Sequence, residues 1–249
     1  MDNVLITGGT SGIGYALAKV FATNKYNVII VSSNDERLKA AQQSLEDEFS
    51  VPIKIYEQDL SQLGAAKELY SKVQSDNIDI DILVNNAGYG LVGRTEEIDF
   101  GKDEHMMVLN MISLAELCKL MLPDMYSRRH GKILNVSSTG AFQPGPFTAT
   151  YFASKAFVLS YSRAIRYEAK DKGIQVCALC PGATKTNFFN SEGTKIPNSA
   201  MSAEEVANYA YKQLMNNKSV SISGFINKVM QAFPTNIKMI SVAKMKKSR

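Results

Sequence analysis

Short apolar runs and longer amphipathic stretches alternate along the whole chain. Runs such as Val28-Ile29-Ile30-Val31 are apolar on successive residues, which is typical of strands covered on both faces. Residues between these runs have apolar positions at helical spacing. The predicted strands are 4–7, 27–31, 53–56, 80–85, 132–137, 174–179 and 219–222, and the predicted helices are 13–24, 35–49, 61–74, about 102–128, 149–170 and 203–215. This alternation predicts a Rossmann-type doubly wound α/β fold, with a mostly parallel seven-stranded sheet and helices on both faces.

Composition adds that the chain forms one domain, residues 1–249. Its 249 residues, 45% hydrophobic and 21% charged, suffice for one core of ordinary size. The net charge of +4 is uneven, because residues 206–249 contain eight basic residues and no acidic one. A solvated tail is the plainer interpretation of the basic C-terminal segment 224–249, and contact with a membrane or an acidic carrier is the alternative. An apolar stripe at Ile226, Val229, Met230 and Phe233 suits core packing, a subunit interface or lipid.

The remaining composition favours a cytoplasmic protein without metal or nucleic-acid chemistry. Three cysteines do not form a disulfide framework, and Cys177 and Cys180 lie three apart on a predicted strand, so they face opposite sides. Two histidines are too few for a typical zinc site. The N-terminus shows no secretory pattern, and residues 108–123 are too short and too charged to span a bilayer.

A glycine-rich turn follows the first strand. Gly8, Gly12 and Gly14 have the spacing G-x-x-x-G-x-G where a strand passes into a helix. Such a turn exposes backbone N–H groups and the positive end of the helix to a phosphate. By itself it is weak evidence, since a tight strand-to-helix turn without a ligand has the same composition.

The end of the second strand bears on the choice of dinucleotide. An acidic residue there would bond the ribose 2′-hydroxyl of NAD and repel the 2′-phosphate of NADP. This chain has Ser32, Ser33 and Asn34 instead, and small polar donors can hold a phosphate. NADP(H) is therefore favoured and NAD(H) stays possible.

A tyrosine and a lysine four residues apart supply candidate chemistry. Tyr151 and Lys155 share one face of a predicted helix, and Ser138 ends the fifth strand. A phenol with a pKa near ~10 is poorly ionised at neutral pH, and a neighbouring ammonium favours the phenolate. Tyr151 is therefore a candidate acid for carbonyl reduction and base for alcohol oxidation, with Ser138 as hydrogen-bond partner of the substrate oxygen.

With these motifs in their order, the chain resembles the short-chain dehydrogenase/reductase family over nearly all its length. Residues 7–14 match TGxxxGIG, residues 85–88 match NNAG, and Ser138, Tyr151 and Lys155 match the catalytic triad. The resemblance implies that Asn110 serves a proton-relay water and that residues 181–186 contact the nicotinamide. The predicted cofactor-binding residues are Gly8, Thr10, Ser11, Gly12, Ile13, Gly14, Ser32, Ser33, Asn34, Asp59, Leu60, Asn86, Ala87, Gly88, Tyr151, Lys155, Pro181, Gly182, Thr184 and Thr186.

The resemblance also implies an activity and an assembly. The expected function is NAD(P)-dependent hydride transfer between nicotinamide and a carbonyl or secondary alcohol, in a homodimer or homotetramer. Bacterial ketoacyl-reductase-like oxidoreductases are the nearest subgroup by motif. A non-catalytic dinucleotide-sensing regulator on the same fold is the alternative, although it predicts a damaged catalytic set.

Aromatic residues near the predicted site suggest an apolar small-molecule substrate. Phe142, Phe147, Phe188 and Phe189 are candidate pocket walls, with core packing as the equal alternative for each. Residues 183–200 are rich in small polar residues and are predicted to form a mobile substrate lid.

Overall fold

The computed structural model describes residues 1–188 and 196–247, and seven parallel strands form the central sheet of this part of the chain. Their order is β3-β2-β1-β4-β5-β6-β9, which confirms the predicted doubly wound fold. The strands of this sheet are β1 (Asn3–Thr7), β2 (Asn27–Ser32), β3 (Ile53–Glu57), β4 (Ile82–Asn85), β5 (Lys132–Val136), β6 (Gln175–Cys180) and β9 (Val220–Ile222). Two further strands, β7 (Thr184–Lys185) and β8 (Met201–Ser202), pair with each other outside it.

Helices cover both faces of the sheet. They are α1 (Gly12–Thr23), α2 (Asp35–Glu48), α3 (Ala65–Ser75), α4 (Phe100–Met107), α5 (Leu114–Arg128), α6 (Ala149–Ala169), α7 (Ala203–Met215), α8 (Phe225–Gln231) and α9 (Thr235–Lys247). Most boundaries agree with the predicted ones within two residues. The predicted start of α3 at residue 61 is wrong, because Asp59 holds Ser61 in a turn and Gly64, at φ +86°, directly precedes the first helical residue, Ala65.

A π-helical segment, Val108–Ser113, interrupts the long helical stretch between α4 and α5. The sequence predicted a long helical region over about 102–128, which the structure confirms, but it gave no sign of the π-helical segment within it. A π-helical turn widens the hydrogen-bond ladder and turns the side chains that follow, and such turns are frequent at functional sites. Here the segment carries Asn110, which is fully buried.

The continuous helical stretch Phe100–Arg128 is long and apolar enough, by length and composition, to cross a membrane. Half of its most apolar window is buried in the fold. Such burial is typical of the core helix of a globular domain, which passes the same test. The prediction that residues 108–123 are too short and too charged to span a bilayer is therefore wrong, because the helical stretch that contains them passes the test of length and composition.

Strand β1 lies at the point where the winding reverses. Its residue Ile6 pairs with Ile30 of β2 on one side and with Val84 of β4 on the other. The chain thus leaves β1 towards one edge of the sheet and later continues from β4 towards the other. In open α/β sheets a crevice forms at this switch point, beyond the carboxyl ends of the strands.

Two apolar clusters pack on opposite faces of the sheet. Successive residues point to opposite faces, so Leu5 lies in one cluster and Ile6 in the other. Cys177 likewise belongs to one face, while Cys180 packs with Leu159 on the other. The cysteines are free and buried, which agrees with the prediction that these two do not converge.

Truncation of one core residue tests this packing. Leu17 of α1 is fully buried, whereas Leu63 is 70% exposed. Leu17→Ala is expected to lower the free energy of unfolding by about 2–5 kcal/mol, because it removes buried methyl groups and leaves a cavity. The matched change Leu63→Ala should stay within about 0.5 kcal/mol of the unaltered protein in denaturant titrations. Equal effects of the two changes would contradict the described packing.

Candidate active site

The turn between β1 and α1 requires glycine. Gly8 and Gly12 have φ values of +66° and +53°, in the region that favours glycine. A Cβ at Gly14 would lie 2.2 Å from the carbonyl oxygen of Gly8, so no side chain fits there. Ser11 precedes α1 without a side-chain capping bond, so the positive helix end can receive an anion. Thr10 and Ile13 complete this turn and lie half-buried beside it.

The loop after β4 is tied directly to the glycine-rich turn. Asn86 donates its side-chain amide to the carbonyl oxygens of Thr7 (3.0 Å) and Gly8 (3.1 Å). The Thr7 hydroxyl oxygen accepts from the backbone N–H groups of Asn86 and Ala87, both at 3.0 Å. These bonds fix the two walls of the crevice against each other. Thr7 was missed as a site residue, although it opens the TGxxxGIG motif.

A buried polar network continues behind this loop. Asn85 donates to Asn135 of β5 at 2.9 Å, and Asn135 donates to Ser162 of α6 at the same distance. Buried amides that find partners in this way hold neighbouring elements in one arrangement. The network therefore joins β4, β5 and α6, the elements that position the chemical end of the site.

Tyr151 and Lys155 come together at the start of α6. Both are buried, with exposed fractions of 8% and 5%. The Lys155 Nζ atom lies 5.8 Å from the centre of the Tyr151 ring and donates to the carbonyl oxygen of Val136 at 3.0 Å. Ser138 follows β5 directly, and its Oγ accepts from the backbone N–H of Gly140 at 3.0 Å. The structure thus places Ser138 beside the strand whose last carbonyl holds Lys155.

Burial changes the ionisation of the lysine. Desolvation lowers the pKa of Lys155 to about 8, while the nearby thiol of Cys180 acts in the opposite direction. A Cβ at Gly88 would lie 2.7 Å from Oδ1 of Asn110 and 3.3 Å from Nζ of Lys155. The loop after β4 therefore packs closely on both side chains.

Asn110 connects the π-helical segment to α6. Its Nδ2 donates to the carbonyl oxygen of Tyr89 at 2.9 Å and to Ser154 Oγ at 3.1 Å. Ser154 in turn donates to the carbonyl oxygen of Tyr151 at 2.7 Å. Asn110 thus supports the backbone that carries the tyrosine, and its role in proton relay stays a prediction. Sequence reasoning missed Ser154 and also Ser137, which donates to the carbonyl oxygen of Lys155 at 2.7 Å.

The residues after β2 lie at the same edge of the sheet. Ser33 and Asn34 are exposed, and Ser32 is half-buried and accepts from Thr10 at 3.5 Å. The side-chain oxygen of Asn34 caps α2 by accepting from the Arg37 N–H at 2.8 Å. Asn34 would therefore donate to a phosphate through its amide nitrogen.

Asp59 and Leu60 follow β3. Burial acts to raise the pKa of Asp59, but hydrogen bonds from Ser61 and Gln62 outweigh it and hold that pKa below its usual value. Leu60 is buried, and its carbonyl oxygen accepts from the hydroxyl of Ser113 at 2.6 Å. The carboxylate of Asp59 is therefore charged, and the backbone of Leu60 is fixed.

The loop after β6 reaches back across the crevice. A Cβ at Gly12 would lie 2.9 Å from the methyl group of Thr186, so this loop touches the glycine-rich turn. Thr184 donates to the carbonyl oxygen of Gly182 at 3.0 Å, and the Pro181 carbonyl oxygen accepts from the Thr139 N–H at 2.9 Å. The predicted lid is described at residues 183–188 and 196–200. Its first residues thus lie over the crevice at the glycine-rich turn.

The four predicted pocket aromatics do not share one environment. Phe188 lies against Tyr151, with ring centres 5.4 Å apart. Phe142 packs on the cluster that contains Cys180, and Phe147 adopts φ +63° in the loop before α6. Phe189 lies outside the described residues.

One aromatic was missed by sequence reasoning. Phe152 lies 5.9 Å from the Tyr151 ring centre and covers Gly145, where a Cβ would come within 2.3 Å of it. A phenylalanine next to the tyrosine carried no distinct signal, because adjacent helical residues do not share a face. The tertiary packing of residues 140–145 brings it beside the site.

A glycine-rich turn at the switch point and a tyrosine–lysine pair at the carboxyl edge define a dinucleotide-binding α/β protein. The chain belongs to the short chain dehydrogenase family, whose sequence profile it matches over residues 2–197. It is 33% identical over 216 residues to hydroxysteroid dehydrogenase-like protein 1 of Gallus gallus, covering 84% of this chain and 64% of that protein. The chain thus spans less than two thirds of that relative's length.

Two further comparisons bear on function. Inactive hydroxysteroid dehydrogenase-like protein 1 of Homo sapiens is 32% identical over 188 residues, which are 74% of this chain and 56% of that protein. The structure of a short-chain dehydrogenase from Sphingobium yanoikuyae in complex with NADPH superimposes with a TM-score of 0.86. That alignment has 27% identity and covers 98% of this chain and 94% of the other.

The buried amine gives a prediction for stability. The folded pKa of Lys155, about 8, is below the ordinary 10.5 of the unfolded chain, so the unfolded state binds more protons between these pH values. Below pH 8 the charged, buried amine therefore lowers the free energy of unfolding. Deprotonation of the amine at higher pH removes this destabilisation. The free energy of unfolding of the unaltered protein should rise by roughly 1–3 kcal/mol relative to Lys155→Met between about pH 8 and pH 10.

Denaturant titrations of both proteins over this pH range, without cofactor, measure that difference. Tyrosines and cysteines titrate in the same range but are common to both proteins, so the difference isolates the lysine. A difference that does not change with pH would show that the amine is not desolvated.

Proposed function

We propose that this protein is an NAD(P)-dependent oxidoreductase that interconverts a carbonyl group and a secondary alcohol. One observation carries the proposal: a buried tyrosine with a lysine amine beside its ring lies at the edge of the crevice that the glycine-rich turn opens. A tyrosine acid needs a nearby cation to ionise near neutral pH, and this arrangement provides one.

The residues of this site divide the chemistry among them. Tyr151 gives a proton to the carbonyl oxygen during reduction and removes it from the alcohol during oxidation. Lys155, with a pKa of about 8, is charged at neutral pH and stabilises the phenolate. Ser138 hydrogen-bonds the substrate oxygen and orients it. The bound nicotinamide supplies or accepts the hydride.

The crevice fits a dinucleotide. Positive φ at Gly8 and the absence of room for a Cβ at Gly14 leave backbone against which a pyrophosphate can lie, at the start of α1. Asp59 and Leu60 lie after β3 at the same sheet edge, where the predicted adenine end would be held. Lys155 would also hold the nicotinamide ribose, as the family resemblance implies.

NADP(H) is the favoured form of the cofactor. No acidic residue follows β2 directly, and Ser32, Ser33 and Asn34 offer hydroxyl and amide groups instead. The structural similarity to a short-chain dehydrogenase in complex with NADPH supports the same choice. Binding of NAD(H) is the alternative.

The substrate is proposed to be a ketone or secondary alcohol with an apolar body. Phe188 and Phe152 flank the Tyr151 ring and give the reacting end of the site aromatic walls. The similarity to a hydroxysteroid dehydrogenase-like protein supports a bulky apolar substrate. The narrower ketoacyl-reductase-like assignment and the closing of a lid over residues 183–200 stay predictions.

A non-catalytic regulator on the same fold is the second candidate, since one relative is named inactive. The intact set of Ser138, Tyr151 and Lys155, with its supporting hydrogen bonds, favours catalysis. A cytoplasmic location and a homodimer or homotetramer are further proposals. Both rest on composition and on the family resemblance.

Removal of the tyrosine hydroxyl tests the mechanism. Tyr151→Phe should lower kcat by roughly 10²- to 10⁴-fold, because no other group replaces the proton donor. Cofactor affinity, measured by NADPH fluorescence, should change little. The matched control is Tyr167→Phe on the same helix, where the ring is 84% exposed. Turnover of ketones is followed at the nicotinamide absorbance, and unchanged turnover in Tyr151→Phe would refute the assignment.

A new acid after β2 tests the choice of cofactor. Ser33→Asp places a carboxylate where the 2′-phosphate is expected, and like charges in contact repel. The KM for NADPH should rise by roughly 10- to 100-fold while that for NADH stays equal or falls. Ser44→Asp, on α2, is the control. If the unaltered protein prefers NADH, or if Ser33→Asp affects both cofactors equally, the NADP(H) proposal is wrong.

A further inference from the structure

The last two helices, α8 and α9, present an apolar surface to solvent. Phe225 and Ile226 are 80% and 72% exposed, and further exposed apolar residues follow along α8, the turn after it and α9. These exposed apolar residues, named here the outer face, are Phe225, Ile226, Val229, Met230, Phe233, Ile237 and Ile240. Clustering of exposed apolar residues in one short segment is typical of an interaction site.

The inner side of α8 is polar, whereas that of α9 combines the buried Lys238 with the half-buried Met239 and Val242. Asn227 donates to the carbonyl oxygen of Ser223 at 2.7 Å, and Gln231 donates to the carbonyl oxygen of Asn227 at 3.2 Å. Lys238 is only 7% exposed and lies 3.4 Å from the carbonyl oxygen of Phe142. A helix pair that packs on a globular domain normally turns its apolar side inward. In α8 the arrangement is reversed, so packing on its own domain does not explain the exposed apolar residues of that helix.

The segment that carries the outer face has charge of one sign. Residues 206–249 contain no acidic residue. Lys228 and Lys244 are exposed on α8 and α9, and Lys247 ends α9. An occupant with apolar groups and negative charge therefore complements the exposed apolar residues and lysines of this segment. Two copies of this chain meeting through the outer face would bring like charges together, which opposes self-association there.

We propose that the outer face docks on the surface of an anionic lipid bilayer. Helices that lie in a membrane interface have aromatic and aliphatic residues on one side and lysines beside them, and both features meet here. Basic residues next to the membrane add electrostatic attraction to anionic lipid. Such docking goes beyond the proposed oxidoreductase function and does not depend on it.

The position of α8 gives docking a consequence for the site. Asn227 packs so closely on Gly182 that a Cβ there would lie 2.3 Å from its amide nitrogen. Gly224 lies against Met201 in the same way, with 3.1 Å from its Cβ position to the sulfur. Gly182 and Met201 stand at the two ends of the predicted lid. If the proposed function holds, an apolar substrate thus reaches the site from the lipid side.

Flotation of the full chain with lipid vesicles tests the proposal without any measurement of catalysis. We expect binding to vesicles of phosphatidylcholine with phosphatidylserine, weaker binding to phosphatidylcholine alone, and loss of binding as salt increases. Ile226→Ser with Ile237→Ser should reduce binding by roughly tenfold or more, because it removes apolar area. The control Leu63→Ser, at an exposed apolar residue outside the outer face, should bind like the unaltered protein.

A second pair of variants tests the charge. Lys244→Gln with Lys247→Gln should reduce binding to the anionic vesicles by roughly tenfold, whereas Lys67→Gln with Lys119→Gln should not. Far-ultraviolet circular dichroism confirms that each variant is folded.

Three results would overturn the proposal. The first is no binding to either kind of vesicle. The second is binding that depends on the lysines but not on Ile226 and Ile237, which indicates electrostatic adsorption of the basic residues without docking of the outer face. The third is sedimentation in which Ile226→Ser with Ile237→Ser dissociates an oligomer, which indicates that a second copy covers the outer face.

Discussion

The position of one buried amine organises the candidate site. Lys155 donates to the last carbonyl of β5, and this bond fixes the start of α6 against the carboxyl edge of the sheet. A buried cation is stable only where hydrogen-bond partners replace water, so its surroundings are tightly constrained. Gly88 leaves room for the amine, and Ser137 holds the lysine's own carbonyl. The tyrosine one turn earlier is placed by the same contacts.

The irregular helix before this site has a structural reason. Asn110 bonds both to Tyr89 and to Ser154, and the π-helical segment turns its side chain towards α6. Ser154 also bonds the Tyr151 carbonyl. The loop after β4, the π-helical segment and α6 therefore form one connected support. Such a support fixes the helical backbone that carries the phenol.

The two ends of the chain differ in how they use apolar residues. In the sheet and its covering helices, apolar residues face inward and form two clusters. In α8 the half-buried residues are the polar Asn227 and Gln231, and Phe225 and Ile226 face out. Packing of Asn227 against Gly182 brings α8 to the edge of the site. An apolar substrate and an apolar docking surface are then neighbours in the same region.

The sequence by itself determined the doubly wound α/β fold, the glycine-rich turn and the pairing of Tyr151 with Lys155. These features depend on local spacing: two-residue and 3.6-residue periodicity, positive φ at glycine, and residues four apart on a helix. Only the tertiary structure decided what depends on contacts between distant segments. It brought Phe152 and Ser154 to the site, moved Phe142 onto the core, and turned the apolar stripe of α8 outward. Side-chain spacing defines a face of a helix, but the direction of that face depends on what the rest of the chain packs against it.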